Sequence, residues 1–155
     1  DSFESTHGNG SVISSWINLA GGVNVLDHLA STNGMVTPSA EEVLQTNSSI
    51  IIIGDSYDYN ATYDTIMADE RFKELAPIAN NNIIFNPYGL FQWEKYSGES
   101  ALQVLWAAKL FYPQLFEDVN LTEEVKYFYK TFHNFDLTDE QANYMLNAKN
   151  PDGQY

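Results

Sequence analysis

Apolar residues at Val12, Ile13, Trp16, Ile17 and Ala20 recur at helical spacing. They predict a helix over 11–20, stopped by Gly21-Gly22. A second pattern begins at Ser39-Ala40-Glu41-Glu42, a capping box in which Ser39 caps and Glu42 reaches back. The helix it opens is short, ending near Gln45. Four consecutive isoleucines, Ile50 to Ile53, then run into Gly54. A continuous β-branched run of this length predicts a strand covered on both faces, as in a parallel sheet. Ile83-Ile84-Phe85, ended by Asn86-Pro87, predicts a second such strand, with helices over about 61–68 and near 71–75 between the two. Met35-Val36 is a candidate short third strand.

The last third of the chain reads as helix. Ser97 is placed to cap a helix with apolar residues on nearly every side (Ala101, Leu102, Val104, Leu105, Trp106, Ala108, Leu110), the pattern of a helix buried between layers. Pro113 ends it. Thr122 is placed to cap the next, with Val125, Phe128, Tyr129 and Phe132 on one face. Thr138-Asp139-Glu140-Gln141 is another capping box, opening a helix to about Leu146. Strands alternating with helices give an α/β fold: a small parallel sheet flanked by helices, with a helical C-terminal part. Residues 1–149 form one domain, and 150–155 a flexible tail. Residues 1–10, polar and glycine-bearing, read as a loop.

Composition narrows the function. The chain has 155 residues and a hydrophobic fraction of 44%, enough for its own core. Its 21 Asp+Glu against seven Lys+Arg give a formal charge of -14, which excludes a nucleic-acid partner, since phosphate contacts need a basic stripe. The absence of cysteine removes disulfides, thiol catalysis and cysteine metal sites. Three histidines, at 7, 28 and 133, are too scattered for a compact His metal site. No serine-hydrolase elbow, phosphate loop or His-Glu-x-x-His occurs, so no catalytic residue is assigned. The chain opens on Asp1, as expected of a processed piece, with any membrane tether upstream.

Ligands of open α/β sheets bind at the carboxyl ends of the strands. Three segments qualify. Thr6-His7-Gly8-Asn9-Gly10-Ser11 precedes a helix, where free backbone N–H groups favour an anion and His7 adds a donor or ligand nitrogen. Asp55 to Tyr59 follows the first strand and offers Tyr57. The segment 86–96 follows the second and carries Tyr88, Phe91, Trp93 and Tyr96. Aromatics so concentrated either contact a ligand or pack against the following helices. The reading taken is that His7, Tyr57, Tyr88 and Trp93 surround one shallow concavity, with Tyr96 beside them.

The run Ile13 to Val25, ISSWINLAGGVNV, resembles the "helix, then Ala-Gly-Gly-x-Asn-Val" signature of substrate-binding proteins of ABC importers. The group it resembles serves iron-siderophores, haem, vitamin B12 and, in some members, molybdate. Ser39 to Leu44 resembles the family's "Ser-x-Glu-x-Val/Leu" helix start. Ser48 to Ile53 resembles its strand, with Ser where Pro-Asp is usual. Ile78 to Phe85, and the sequence from Gly98 through Trp106 to Phe116, are similar to its later segments. The matches span about residues 11–146 and fall in the C-terminal lobe of a two-lobed protein with a rigid interlobe helix.

That resemblance implies an extracytoplasmic solute-binding lobe, periplasmic or lipid-anchored. Its partners would be an N-terminal lobe and an ABC permease in the membrane. Its ligand would be a ferric siderophore, haem, cobalamin or molybdate, with no covalently bound cofactor. It also implies that Glu41 docks on permease arginines, and Glu42, engaged in the capping box, leaves Glu41 outward. For the ligand, Tyr57, Tyr88 and Tyr96 suit iron, Trp93 a flat cobalamin face and the His7 loop an oxyanion. Two alternatives remain open: a chelatase-like metal enzyme and a sensory ligand-binding domain without transport.

Overall fold

A computed structural model describes residues 6–54 and 58–154. The elements follow the order β1 (Thr6–His7), α1 (Val12–Leu19), β2 (Met35–Val36), α2 (Ala40–Leu44), β3 (Ile51–Ile53), α3 (Tyr59–Ala68), α4 (Ala76–Ala79), β4 (Ile83–Phe85), α5 (Ser100–Phe111), a 3-10 turn (Pro113–Phe116), α6 (Leu121–His133) and α7 (Asp139–Leu146). The fold is α/β, with small sheets and a helical C-terminal part. The chain divides into two compact units, Asp1–Asn18 with Val23–Phe85 and Leu19–Gly22 with Asn86–Tyr155. Among the described residues no helix is long and apolar enough to cross a membrane.

In the first unit β3 and β4 pair in parallel, Ile51 with Ile83, Ile52 with Ile84 and Ile53 with Phe85. Because side chains alternate along a strand, Ile51 and Ile83 turn to one face. There they pack on the core of Val43, Phe72, Leu75 and Ile78. Each such buried side chain contributes about 1.5–3 kcal/mol. Ile52 and Ile84, on the other face, are half-buried to the same degree as Ile51 and Ile83.

Met35–Val36 is a strand, but it does not extend the parallel sheet. It pairs antiparallel with Thr6–His7, within the segment the sequence reads as loop. Two residues are too few for a periodic signal. The pairing is set by tertiary contacts instead: the Gly8 N–H donates to Gly34 O at 2.9 Å, and Gly34 lies so close to Ser11 that a Cβ would sit 2.9 Å from its Cα.

Helix starts follow capping chemistry. Both capping boxes form, at Ser39 with Glu42 and at Thr138 with Gln141. Asp58 caps α3, accepting the Ala61 N–H at 2.9 Å, so that helix begins before Ala61. Two expected caps are displaced. Asn120, two residues ahead of Thr122, accepts the Thr122 N–H at 3.1 Å and starts α6. The Ser97 hydroxyl makes no hydrogen bond, and α5 starts at Ser100 after Glu99. Glu99 does not cap either, because its carboxylate is engaged elsewhere.

In the second unit α5 packs against the 3-10 turn and α6, and α6 against α7. Leu102, Trp106, Ala107, Val125, Tyr129, Ala142 and Met145 form the interior. Lys109 Nζ donates to Phe116 O and Val119 O at 2.7 and 2.8 Å, satisfying carbonyls past the end of α5. Residues 150–154 make a turn: the Asn150 N–H donates to Gln154 O, and Asn150 Oδ1 accepts the Asp152 and Gln154 N–H groups.

Candidate functional site

The His7 segment is tied down by the polar side chains of Ser14, Asn24 and Asp27. Asn24 Nδ2 donates to His7 O at 2.8 Å and to Ser14 Oγ at 2.7 Å. Ser14 Oγ, 3% exposed as a residue, lies 2.5 Å from Asp27 Oδ1 and 3.0 Å from Gly8 O, so its one proton serves two acceptors. Asn24 Oδ1 accepts the Leu26 N–H at 3.1 Å. Asn24 thus ties the segment before α1 and the start of that helix to the chain that follows it, while its oxygen closes its own turn onto Leu26. Gly8 meets Val36 so closely that a Cβ would lie 2.6 Å from Val36 Cγ1. At the start of α1 the Ser14 N–H goes to Ser11 Oγ at 3.0 Å, so one of the orphan donors of that helix already has a partner. His7 itself is half-buried in β1.

Glu41 is exposed in α2 and accepts the Gln45 side-chain amide at 3.4 Å. Glu42 beside it accepts the Ser39 N–H at 2.7 Å and the Ser39 hydroxyl at 2.8 Å. Those bonds hold its carboxyl below the usual carboxylate range. Adjacent glutamates therefore have different duties: one closes the helix end and the other faces solvent.

The 86–96 segment belongs to the second unit and is built on buried polar groups. Asn86, fully buried, pairs with the Gln103 amide reciprocally: Gln103 Nε2 donates to Asn86 Oδ1 at 2.8 Å, and Asn86 Nδ2 to Gln103 Oε1 at 3.1 Å. Asn86 Nδ2 also donates to Glu94 Oε2 at 2.8 Å and to Pro87 O. A second buried carboxylate, Glu99, gathers the Leu90 and Phe91 N–H groups at 3.1 Å each, the Trp93 indole N–H at 3.2 Å, and the Tyr129 hydroxyl. Burial first, and then the Glu99 carboxylate, raise the Tyr129 phenol well above its ordinary range. Four neutral donors surround the Glu99 carboxylate and offset the cost of its burial.

The expected site residues fall as follows. Tyr57 lies outside the described residues. Tyr88 is half-buried, with its N–H on Met145 O at 3.0 Å. Tyr96 is 86% exposed. Trp93 is 1% exposed, so its ring packs inside the unit instead of offering a flat surface. Leu90 and Phe91 are the outward apolar groups of the segment, at 63% and 50% exposure. Tyr88, Trp93 and Tyr96 share one segment of the second unit, whereas His7 and Glu41 belong to the first. Among the described residues no group of three or more His, Asp or Glu is placed to hold a metal ion.

Sequence reasoning missed Ser14, Asn24, Asp27, Asn86, Glu94, Glu99 and Gln103. One signal was available: Gln103 is a polar residue inside a helix otherwise apolar on nearly every side.

Comparisons with known proteins find periplasmic solute-binding proteins. The chain is 26% identical to a periplasmic solute-binding protein of Veillonella parvula, with a TM-score of 0.81, over 93% of this chain and 44% of that one. It is 27% identical to the molybdate-bound protein MolA of Haemophilus influenzae, with a TM-score of 0.73, over 89% of this chain and 41% of that one. Among curated proteins, the molybdate-binding protein MolA of H. influenzae is 28% identical over 138 residues, 88% of this chain and 38% of MolA. No family model matches the chain. These relatives are solute-binding proteins and not enzymes, and the chain spans less than half the length of each.

Proposed function

We propose that the chain is the C-terminal, ligand-closing lobe of an extracytoplasmic solute-binding protein that hands its cargo to an ABC permease. The observation that carries this reading is a likeness, over about nine-tenths of the chain, to proteins of that function. The extent of the match, under half of each relative, suits one lobe of two. No bond is made or broken. The work is the difference in affinity between open and closed states. An N-terminal lobe would supply the other half of the ligand's contacts.

In this reading Tyr88 and Tyr96 contact ligand from the segment after β4, and Tyr57 from the one after β3. His7 contacts it from the turn before α1. Trp93 acts indirectly, as part of the packing that shapes its segment. The cargo is a metal chelate (ferric siderophore, haem or cobalamin) or a molybdate-like oxyanion. The MolA likeness favours the oxyanion, and the exposed Tyr96 favours iron. Glu41 docks on arginines of the permease, an assignment supported by its exposure beside the occupied Glu42. Native mass spectrometry of the two-lobed protein, after exposure to each of these ligands, tests the reading. One ligand retained at stoichiometric occupancy is the expected result, and none retained would overturn it.

A further inference from the structure

The second unit holds a pocket of about 380 Å³ at the end of α6, against α7 and the turn at 150–154, elements from which the solute-binding reading takes no residue. Its size lies within the range of small-molecule sites. Buried Tyr129 forms its floor, and the exposed Leu90 and Phe135 form apolar walls. Three polar side chains complete the lining: His133 at the end of α6, Gln141 in α7 and Asp152 in the turn. Each has hydrogen-bonding capacity to spare. Gln141 commits its oxygen to the Thr138 N–H and leaves its N–H2 without a partner among the described residues. Neither the Asp152 carboxylate nor the ring nitrogens of His133 meet a partner there either. The imidazole is nevertheless held in place, its centroid 5.1 Å from that of Tyr129 and 5.6 Å from that of Phe128.

Charge at the pocket is one-sided. No lysine or arginine is among its lining residues. Lys130, in the last turn of α6, is taken by Asp136 at 2.6 Å. The last carbonyls of α6 bring the negative end of its dipole to the same rim. The Tyr129 hydroxyl is spent on Glu99, so that residue offers only its ring.

We propose that this pocket binds a small organic cation, an ammonium group carried on an aromatic or aliphatic body. The ammonium donates to the Asp152 carboxylate and to a His133 ring nitrogen. The body packs on Leu90, Phe135 and the Tyr129 ring, and an ammonium beside such rings gains a cation–π attraction. The Gln141 N–H2 is left to meet an acceptor on the ligand. An anion of the same size would face Asp152 with no cation to offset it.

The test uses the 155-residue chain and three probes that share a phenylalkyl body and differ in charge: phenethylammonium, neutral 3-phenylpropanol and anionic 3-phenylpropionate. Each is titrated and followed by backbone amide shifts in NMR. Phenethylammonium is expected to saturate with a Kd of about 1 mM or tighter, shifting the amides of His133, Phe135, Gln141 and Asp152. The neutral probe should bind at least about threefold more weakly, and the anion should not saturate. Asp152 is exposed, so its variants fold. Asp152→Asn should weaken the cation at least about threefold, and Asp152→Lys should make the anion the preferred probe. The proposal is overturned if the three probes bind the parent alike, or if the shifts fall outside the pocket. It is overturned too if Asp152→Asn binds the cation as the parent does, if Asp152→Lys still prefers the cation, or if phenethylammonium fails to saturate by about 20 mM.

Discussion

Replacing Gly89 by alanine places one methyl carbon where the second unit has no room. The new Cβ would lie 2.0 Å from Glu99 Oε1, 2.7 Å from Tyr129 Oη and 2.7 Å from Met145 Cε. None of the three can swing away freely. Met145 is fully buried, Tyr129 is 2% exposed, and Glu99 is fastened by the donors described above. Overpacking of a tight interior costs about 1–3 kcal/mol. Pushing the carboxylate off its donors adds the loss of a charge-assisted hydrogen bond, about 1.5–3 kcal/mol. Allowing for relaxation, Gly89→Ala should destabilise by about 3–5 kcal/mol, a large share of the about 5–15 kcal/mol that holds a typical domain folded. At about 2–4 °C per kcal/mol, the thermal midpoint should fall by about 6–20 °C. Gly98→Ala is the control, because a Cβ there meets nothing within 4 Å, so its midpoint should stay within about 2 °C of the parent. Circular dichroism melts of the three proteins decide the matter. Equal midpoints for the two variants would sink the claim that the segment is seated on Glu99.

Four further outcomes are expected. Asn86→Asp would replace the amide that donates to Glu94 and Gln103 by a second acceptor, so the variant should be destabilised by about 3 kcal/mol, readable as a lowered urea midpoint at pH 7. Tyr129, whose folded-state pKa is raised, contributes stability that is fully present below the ordinary phenol range near pH 10 and is lost as pH rises above it. Tyr129→Phe should therefore flatten the alkaline limb of a stability-against-pH curve, and an unchanged limb would contradict the assignment. On the proposed reading, Glu41→Ala in a two-lobed protein should leave ligand affinity within about twofold while slowing uptake through a permease, measured in a reconstituted transport assay. On the same reading, residues 1–155 alone should bind a ligand only weakly, because half of the contacts of a nanomolar site corresponds to a Kd of roughly tens of micromolar; calorimetry showing submicromolar binding would place the site within this chain.

What the sequence disclosed depends on how local the determining physics is. The capping boxes at Ser39 and Thr138 are closed by residues three apart, and both are present. The isoleucine run and Ile83-Ile84-Phe85 pair in parallel because apolar continuity is written into each strand. The first strand escaped notice because two residues carry no period, and its partner lies nearly thirty positions away. The cap of α5 was misplaced because Ser97 has the right chemistry, while the neighbouring Glu99 is drawn to a loop up to nine residues back. The site shows the same divide. Aromatics in the 86–96 segment advertised themselves, but whether a ring turns in or out depends on partners such as Tyr129, 30 residues beyond Glu99. Trp93 accordingly went inside, and Leu90 and Phe91 went out.

The parallel pairing of β3 with β4 has a consequence for the order in which the chain folds. The Asn82 amide donates to Ser49 O across a separation of 33 residues, so the two strands cannot meet until the intervening chain has been drawn into a closed loop. That closure alone costs about 3 kcal/mol in chain entropy, before any ladder bond repays it. Three residue pairs are too few to nucleate against such a cost. The collapse of Val43, Phe72, Leu75 and Ile78 must come first and bring the strands side by side. The sheet is thus a late arrival, and substitutions at Phe72 should slow refolding, whereas those at Ile52 should chiefly hasten unfolding.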